Sequence, residues 1–514
     1  MQMLVDYMDE QSVLTPSEND REESNLVVLT WRTRLCYGVG HILNDLCANV
    51  WFSYLLIYMQ YVVQLSPITA GSLLLVGQIA DALSTPFVGI ESDRTGYNKY
   101  GRRKLWHLLG VTCVAVSFPF IFTKCIGCGK SSEYALVIYY VPFIVIFQFG
   151  WASTQISHLA LIPELSECKI EKVTLNAIRY AGTVSSGIVV YLVFWYLINT
   201  MKSCDVIGPD DHDEFMYLAL ITVAFGLVFM FIFHLGVKER PRKSSHIGDS
   251  KSKRNASDWK LWFREIEFYK VALIYMCTRL VVNISQVYTP QFTKVSLEHK
   301  KEIVAIIPLI VFVSGFLTTL AAKPLNVHLG QRGTYIIGLL IVISNCVWTY
   351  FIEKKTIQVY GYGVLLGVGG SLSLVTCLGM LAHLIGENVE TGAFVYGAMS
   401  FLDKIANGIA VQIIQVFHGS VACEACLYRH IIMYVPGGAA VFALLVAVML
   451  NRDFDRSSAE TPEPKKPPQN IQNCIADREA LLADGSGSIQ DTGYGSTCCE
   501  DHKGLNRAWK AMET

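Results

Sequence analysis

Thr69 to Ile90 is an apolar run broken by a single acid, Asp81, and it leads straight into Glu91, Asp93, Arg94, Gly96, Gly101, Arg102, Arg103 and Lys104. About twenty apolar residues cross a bilayer core as a helix, and a basic block directly after such a run favours the cytosolic face. The stretch is therefore a membrane helix with a fixed orientation. Its end supports two readings. Gly89 and Gly96 permit a tight turn against a neighbouring helix end, while Asp93, Arg94, Arg102 and Arg103 can form a charge latch that breaks and reforms as two halves rock. The plainer reading is a helix end carrying positive-inside charge.

The rest of the chain repeats this pattern. Apolar segments of spanning length fall at 35–62, 69–91, 105–123, 134–162, 175–200, 215–236, 268–290, 302–322, 334–352, 359–385, 393–417 and 429–450. Hydrophobic residues make up 52% of the 514 positions, 17% are charged, and the mean hydropathy is +0.37. No ordinary soluble domain is so apolar. A net charge of -1 gives no bulk attraction to nucleic acid, and no recognition motif is present. Met1 to Thr30 is acidic and polar, without the basic and apolar regions of a cleavable signal, so the first span is expected to direct insertion.

The expected fold is an all-α polytopic membrane protein with twelve transmembrane helices in two six-helix halves. A cytosolic segment covers 1–32, the bundles 33–237 and 263–450, a cytosolic linker 238–262, and a tail 451–514. Arg240, Arg242, Lys243, Lys251, Lys253 and Arg254 crowd the linker, and basic clusters follow the even-numbered spans, which puts both termini in the cytosol. A degenerate second-half counterpart of the opening motif stands at Gly315, Lys323, Asn326, Gly330 and Arg332. The tail has too few apolar residues to fold alone. Within it, Asp477 followed by Leu481 and Leu482 resembles the acidic dileucine signal read by clathrin adaptors; a chance match is the alternative.

An ionisable side chain at mid-membrane costs roughly 2.5 to 3.5 kcal/mol on insertion scales, so each one asks for a partner or a task. Here they are few: His41, Asn44 and Asp45 on span 1, Asp81 on span 2, Gln148, Gln155 and His158 on span 4, and Arg179 on span 5. The second half adds Arg279, Asn283 and Gln286 on span 7, His383 on span 10, and Asp403 and Lys404 on span 11. His41 and Asp45 are four apart, as are Arg279 and Asn283, so each pair shares a helical face. Either these groups converge on a cavity between the halves, or pairs such as Asp45 with Arg179 and Asp81 with Lys404 hold helices together. Buried ion pairs stabilise weakly compared with apolar packing, which makes several in one chain hard to explain by stability alone.

These residues carry a family resemblance. Gly89, Asp93, Arg94, Gly96 and the basic triplet resemble the loop between helices 2 and 3 of the major facilitator superfamily. Tyr37-Gly38-Val39-Gly40 ahead of Asp45, Asp81-Ala82 with Pro86 and Gly89, Leu161-Ile162-Pro163-Glu164, Arg179 and Lys404 look like the glycoside-pentoside-hexuronide cation symporter group over most of the chain. That resemblance implies substrate contact at Asp45 and Arg179, and a cation site with its coupling at Asp81 and Lys404. The group's sodium users carry further acids where this chain has Thr85 and Gln155, which implies proton coupling or facilitated transport here.

The runs Gly40 to Ala48, Ile146 to His158 and Gly392 to Lys404 resemble the lysosomal and melanosomal cysteine importers of the superfamily, a likeness that covers the membrane domain. It implies movement of cysteine from the cytosol into an organelle lumen. Charge then suggests Asp45 or Asp81 for the substrate ammonium and Arg179 or Arg279 for its carboxylate, with Gln155 and Asn283 as further ligands. His41, Asp81, Asp403 and Lys404 are the coupling or ion-pair candidates.

Fifteen cysteines are present, and two C-x-x-C pairs fall in expected lumenal loops: Cys125 with Cys128, and Cys423 with Cys426. Four such cysteines make a zinc signature, but one pair belongs to each half, and a link across the halves would block their motion. A local disulfide or free thiols in each loop is expected, with Cys204 as an alternative partner for the first pair. No catalytic triad, paired acid or phosphate loop is present, so neither an enzyme nor a cofactor or metal is expected. Three readings remain: a carrier of a small thiol amino acid, a carrier of another solute such as a sugar or lysolipid, and a non-transporting sensor or scaffold.

Overall fold

The computed structural model describes residues 29–128, 132–166, 169–201, 206–239, 262–385, 389–418 and 421–450. The linker basics, Cys204, the tail and its Asp477, Leu481 and Leu482 lie outside the described residues. Within them are helices α1 (Trp31–Val62), α2 (Pro67–Arg94), α3 (Arg102–Ile121), α4 (Glu133–Ala160), α5 (Lys169–Thr200) and α6 (His212–Gly236). The second half has α7 (Ile266–Gln291), then one run, Lys301–Phe351, that Gly330 breaks into α8 (301–329) and α9 (331–351). It closes with α10 (Gln358–Ile385), α11 (Val389–His418) and α12 (Glu424–Val448). Eleven of these are long and apolar enough to cross a membrane. The twelfth, α11, has the length but carries Asp403, Lys404, Asn407 and Gln412 along it. Among the described residues every regular element is helical, and the long helices form two sets of six.

Local chemistry sets the helix ends. Ser66 accepts the Thr69 amide as N-cap of α2, with Pro67 in the first helical position where its missing N–H costs nothing. Gly101, at φ 109°, opens α3, and Gly330, at φ 74°, opens α9. The positive φ values recur in matching places: Gln64 and Glu298 after the π turns that end α1 and α7, Gly101 and Gly330, then Gly127 and Lys355 after α3 and α9. Both halves therefore follow one backbone plan.

In lipid, helix association depends on close packing more than on expulsion of water. Accordingly, Gly110 of α3 meets Gly150 of α4 so tightly that a Cβ on Gly110 would lie 2.6 Å from the Gly150 carbonyl oxygen. The halves meet where α1 packs on α7, α2 on α11 and α5 on α8.

Candidate substrate cavity between the two halves

A cavity of about 330 Å³ lies between the halves. Asp45, Asn49 and Phe52 reach it from α1, Thr183 and Tyr191 from α5, Arg279, Asn283 and Gln286 from α7, and Phe312 and Ser371 from the facing helices. The spacings 45/49 and 279/283/286 put each set on one helical stripe, which is why α1 and α7 supply most of the polar wall.

Asp45 is buried, and its Oδ2 accepts from Thr183 Oγ1 at 3.0 Å. His41 Nδ1 also stands 3.0 Å from that oxygen, close enough for an ion pair when the ring is protonated but off the angle of a hydrogen bond. The other ring nitrogen, Nε2, is 3.4 Å from Arg179 Nη2, and the buried Nε of Arg179 has no hydrogen-bond partner among the described residues. His41 thus stands between the acid and the arginine that charge alone would have paired.

Arg279 donates from Nε to Asp403 Oδ2 at 2.8 Å, and Asp403 Oδ1 also accepts from Asn407 at 2.6 Å and Asn283 at 3.3 Å. Asp403 is consequently a holder of Arg279, a residue of the cavity wall. Asp81 and Lys404 form a separate site: Lys404 Nζ lies 2.6 Å from Asp81 Oδ1 and donates to Thr85 Oγ1 at 2.8 Å. Neither belongs to the cavity lining, nor does Gln155, which is half-buried on α4. His158 is an interior residue, stacked on Tyr37 at 4.2 Å with Nε2 donating to the Tyr37 carbonyl. Sequence reasoning missed Thr183, Asn49 and Asn407; each lies four residues after a singled-out charge, and that spacing was the available signal.

Polar contacts shut the side opposite the basic loops, here called the far face. Gln60 donates to Gln415 at 2.7 Å, Tyr61 to Glu424 at 2.5 Å and Lys301 to Asp211 at 3.1 Å, each bond crossing between halves. Just inside this seal, Gln286 reaches Ser53 at 3.3 Å.

Residues 36–418 match the family described as MFS/sugar transport protein. The chain belongs to that family. The transporter is 47% identical over 438 residues to major facilitator superfamily domain-containing protein 12 of Homo sapiens, covering 80% of this chain and 91% of that one. It is 44% identical over 461 residues to the Mus musculus protein of the same name, covering 85% and 97%. Its fold is similar to the crystal structure of a D-xylose-proton symporter, with a TM-score of 0.62 at 18% identity, over 81% of this chain and 97% of that one. It is a membrane transporter and not an enzyme.

In the transporter, the charged loop between α2 and α3 is organised by two acids from elsewhere in the same half. Glu239, just after α6, accepts the backbone amides of Arg102, Arg103 and Lys104 at 2.9 to 3.0 Å, capping the positive end of α3. Glu164 accepts from Arg102 at 2.8 Å and Arg103 at 3.1 Å, while Arg103 also binds Asp93 and Ser92. Arg94 is exposed and, among the described residues, pairs only with Glu91, and a Cβ on Gly89 would meet open space. Of the residues expected in a latch, Asp93, Arg102 and Arg103 meet in this network together with Glu164 and Glu239, while Gly89 and Arg94 stand outside it. These bonds tie helix ends within one half.

Cys125 pairs with Cys128, and Cys423 with Cys426, with Cα atoms 5.5 and 5.3 Å apart.

Proposed function

We propose that the transporter carries cysteine from the cytosol into the lumen of lysosomes or melanosomes by alternating access, coupled to protons. The observation that carries this reading is the presence of a carboxylate, Asp45, and a guanidinium, Arg279, on the walls of one cavity of about 330 Å³. Opposite fixed charges on the walls of one small cavity suit a zwitterion, with Asp45 for the ammonium and Arg279 for the carboxylate. The basic loops orient the near face to the cytosol and the sealed far face to the lumen, with both termini cytosolic. The tail's Asp477, Leu481 and Leu482 support sorting by clathrin adaptors.

Coupling is assigned to His41 and to the Asp81–Lys404 pair. While neutral, the His41 ring can accept from Arg179. Once protonated, it is drawn to Asp45 and repels Arg179, so proton binding redistributes charge at the cavity wall.

A second reading, a sugar, is favoured by Phe52, Trp151 and Tyr180 beside Asn49 and Asn283 in the lining, since aromatic faces with amide groups suit a sugar ring. Uptake of labelled cysteine into organelles from cells expressing the chain, with and without a pH gradient, tests the proposal. Uptake blocked by unlabelled cysteine, stimulated by the gradient and lost in Asp45→Asn is expected. Inhibition by pentoses and not by amino acids would replace cysteine with a sugar, and wild-type uptake in Asp45→Asn with Arg279→Gln would remove both residues from the site.

A further inference from the structure

One disulfide stands at the seam between the halves on the far face. Cys423 is the N-cap residue of α12 and Cys426 lies in its first turn; both are exposed, and the Cys426 amide donates to Cys423 Sγ at 3.2 Å. The opening turns of α12 also hold two residues of the seal. Glu424 accepts from Tyr61 of α1 at 2.5 Å, and the Tyr428 hydroxyl donates to Gln60 at 3.1 Å. His418, at the end of α11, stands 3.5 Å from Glu424 and 3.2 Å from the Tyr428 hydroxyl, and the Lys294 ammonium sits over the Tyr61 ring at 3.1 Å. Cys125 and Cys128 differ in setting: they lie in the loop between α3 and α4 and open no helix.

We propose that Cys423 and Cys426 form a thiol–disulfide exchange site for small thiols at the far face, and that its redox state sets the grip of α12 on α1. The proposal rests on the alternating-access reading, but not on cysteine being the transported solute. Two features favour exchange here. The sulfurs are open to solvent, and the N-terminus of α12 together with the Cys426 amide stabilises negative charge on Cys423 Sγ, making it the better leaving sulfur and, when reduced, the nucleophile.

A small thiolate attacks the protein disulfide, the S–S bond breaks, and the departing cysteine takes a proton from water. A second small thiol then attacks the mixed disulfide and releases the small disulfide. Two small thiols are thereby oxidised to one disulfide while the protein pair gains two electrons and two protons. A small disulfide runs the cycle backwards. With the cross-link open, the first turn of α12 is held at its cap by hydrogen bonds alone, and Glu424 and Tyr428 lose their fixed placement against Tyr61 and Gln60.

The test uses the full chain in detergent, equilibrated with cysteine and cystine at a series of ratios, acid-quenched, and alkylated for site-resolved mass spectrometry. In parallel, hydrogen–deuterium exchange is followed at residues 58–64 and 424–430. The expected result is that the 423/426 pair titrates with the ratio, and that reduction speeds exchange severalfold in both segments, in wild type and in the Cys125→Ser, Cys128→Ser variant alike. A pair that stays oxidised at every ratio overturns the proposal. So does faster exchange confined to 424–430, because the seal in the other half would then not sense the disulfide. Neither readout needs transport, so absence of cysteine uptake would count against the proposed substrate and leave this result standing.

Discussion

Lys404 Nζ stands 2.6 Å from Asp81 Oδ1, joining α11 of the second half to α2 of the first midway along both helices. Both groups are largely withdrawn from solvent, at 13% and 3% side-chain exposure. Removing one partner leaves the other as an uncompensated buried charge, at a cost of about 3–5 kcal/mol, whereas removing both is much better tolerated. Thermal unfolding in detergent should therefore show Asp81→Asn and Lys404→Met each below wild type, with the double variant recovering most of the loss. A double variant no better than the worse single would show that the pair is not the source of the effect.

Glu239 and Gly101 form a second dependent pair. Glu239→Ala strips the acceptor from three amides at the start of α3 and should cost about 1–2 kcal/mol. Gly101→Ala is strained at φ 109° and places a methyl 2.9 Å from Glu239 Cβ. Each should lower the unfolding temperature, and because they share one contact, the double variant should lose less than the sum.

Arg103 and Arg94 separate two accounts of the charged loop. Arg103 is buried among Ser92, Asp93 and Glu164, while the Arg94 side chain is 72% exposed beside Glu91. Arg103→Ala should depress both folded yield and transport. Arg94→Ala should leave both within experimental error of wild type. Equal losses would return Arg94 to the latch.

Arg279 and Arg179 are predicted to differ in kinetics. Loss of a charge-assisted hydrogen bond to substrate is worth about 1.5–3 kcal/mol, so Arg279→Gln should weaken apparent cysteine affinity by roughly ten- to a hundredfold. Arg179→Gln acts through His41, and its main effect should be a changed dependence of uptake on pH. Swapped phenotypes in concentration and pH series would reverse the two roles.

Much of the architecture could be read from the chain because a membrane helix announces itself locally: its length is set by the bilayer and its direction by Lys and Arg at its ends. Gly330, degenerate in sequence beside the first-half motif, keeps its positive φ because the backbone plan of the second half still needs it. The site was less legible. His41 was visible as a polar residue four before Asp45, but nothing in the sequence says that it intervenes between Asp45 and Arg179. Glu239 is an acid after the last span of its half, and only folding brings it to the start of α3, far away in the chain.

By itself, the sequence determined the spans, the basic loops that carry the orientation signal, and the short inventory of polar side chains that lipid would not tolerate unaccompanied. The tertiary structure decided which of those side chains meet. Asp403 and Lys404 are neighbours in the chain, but successive residues on a helix point about 100° apart. One therefore turns to Arg279 on α7 and the other to Asp81 on α2, a division of partners that depends on which helices flank α11.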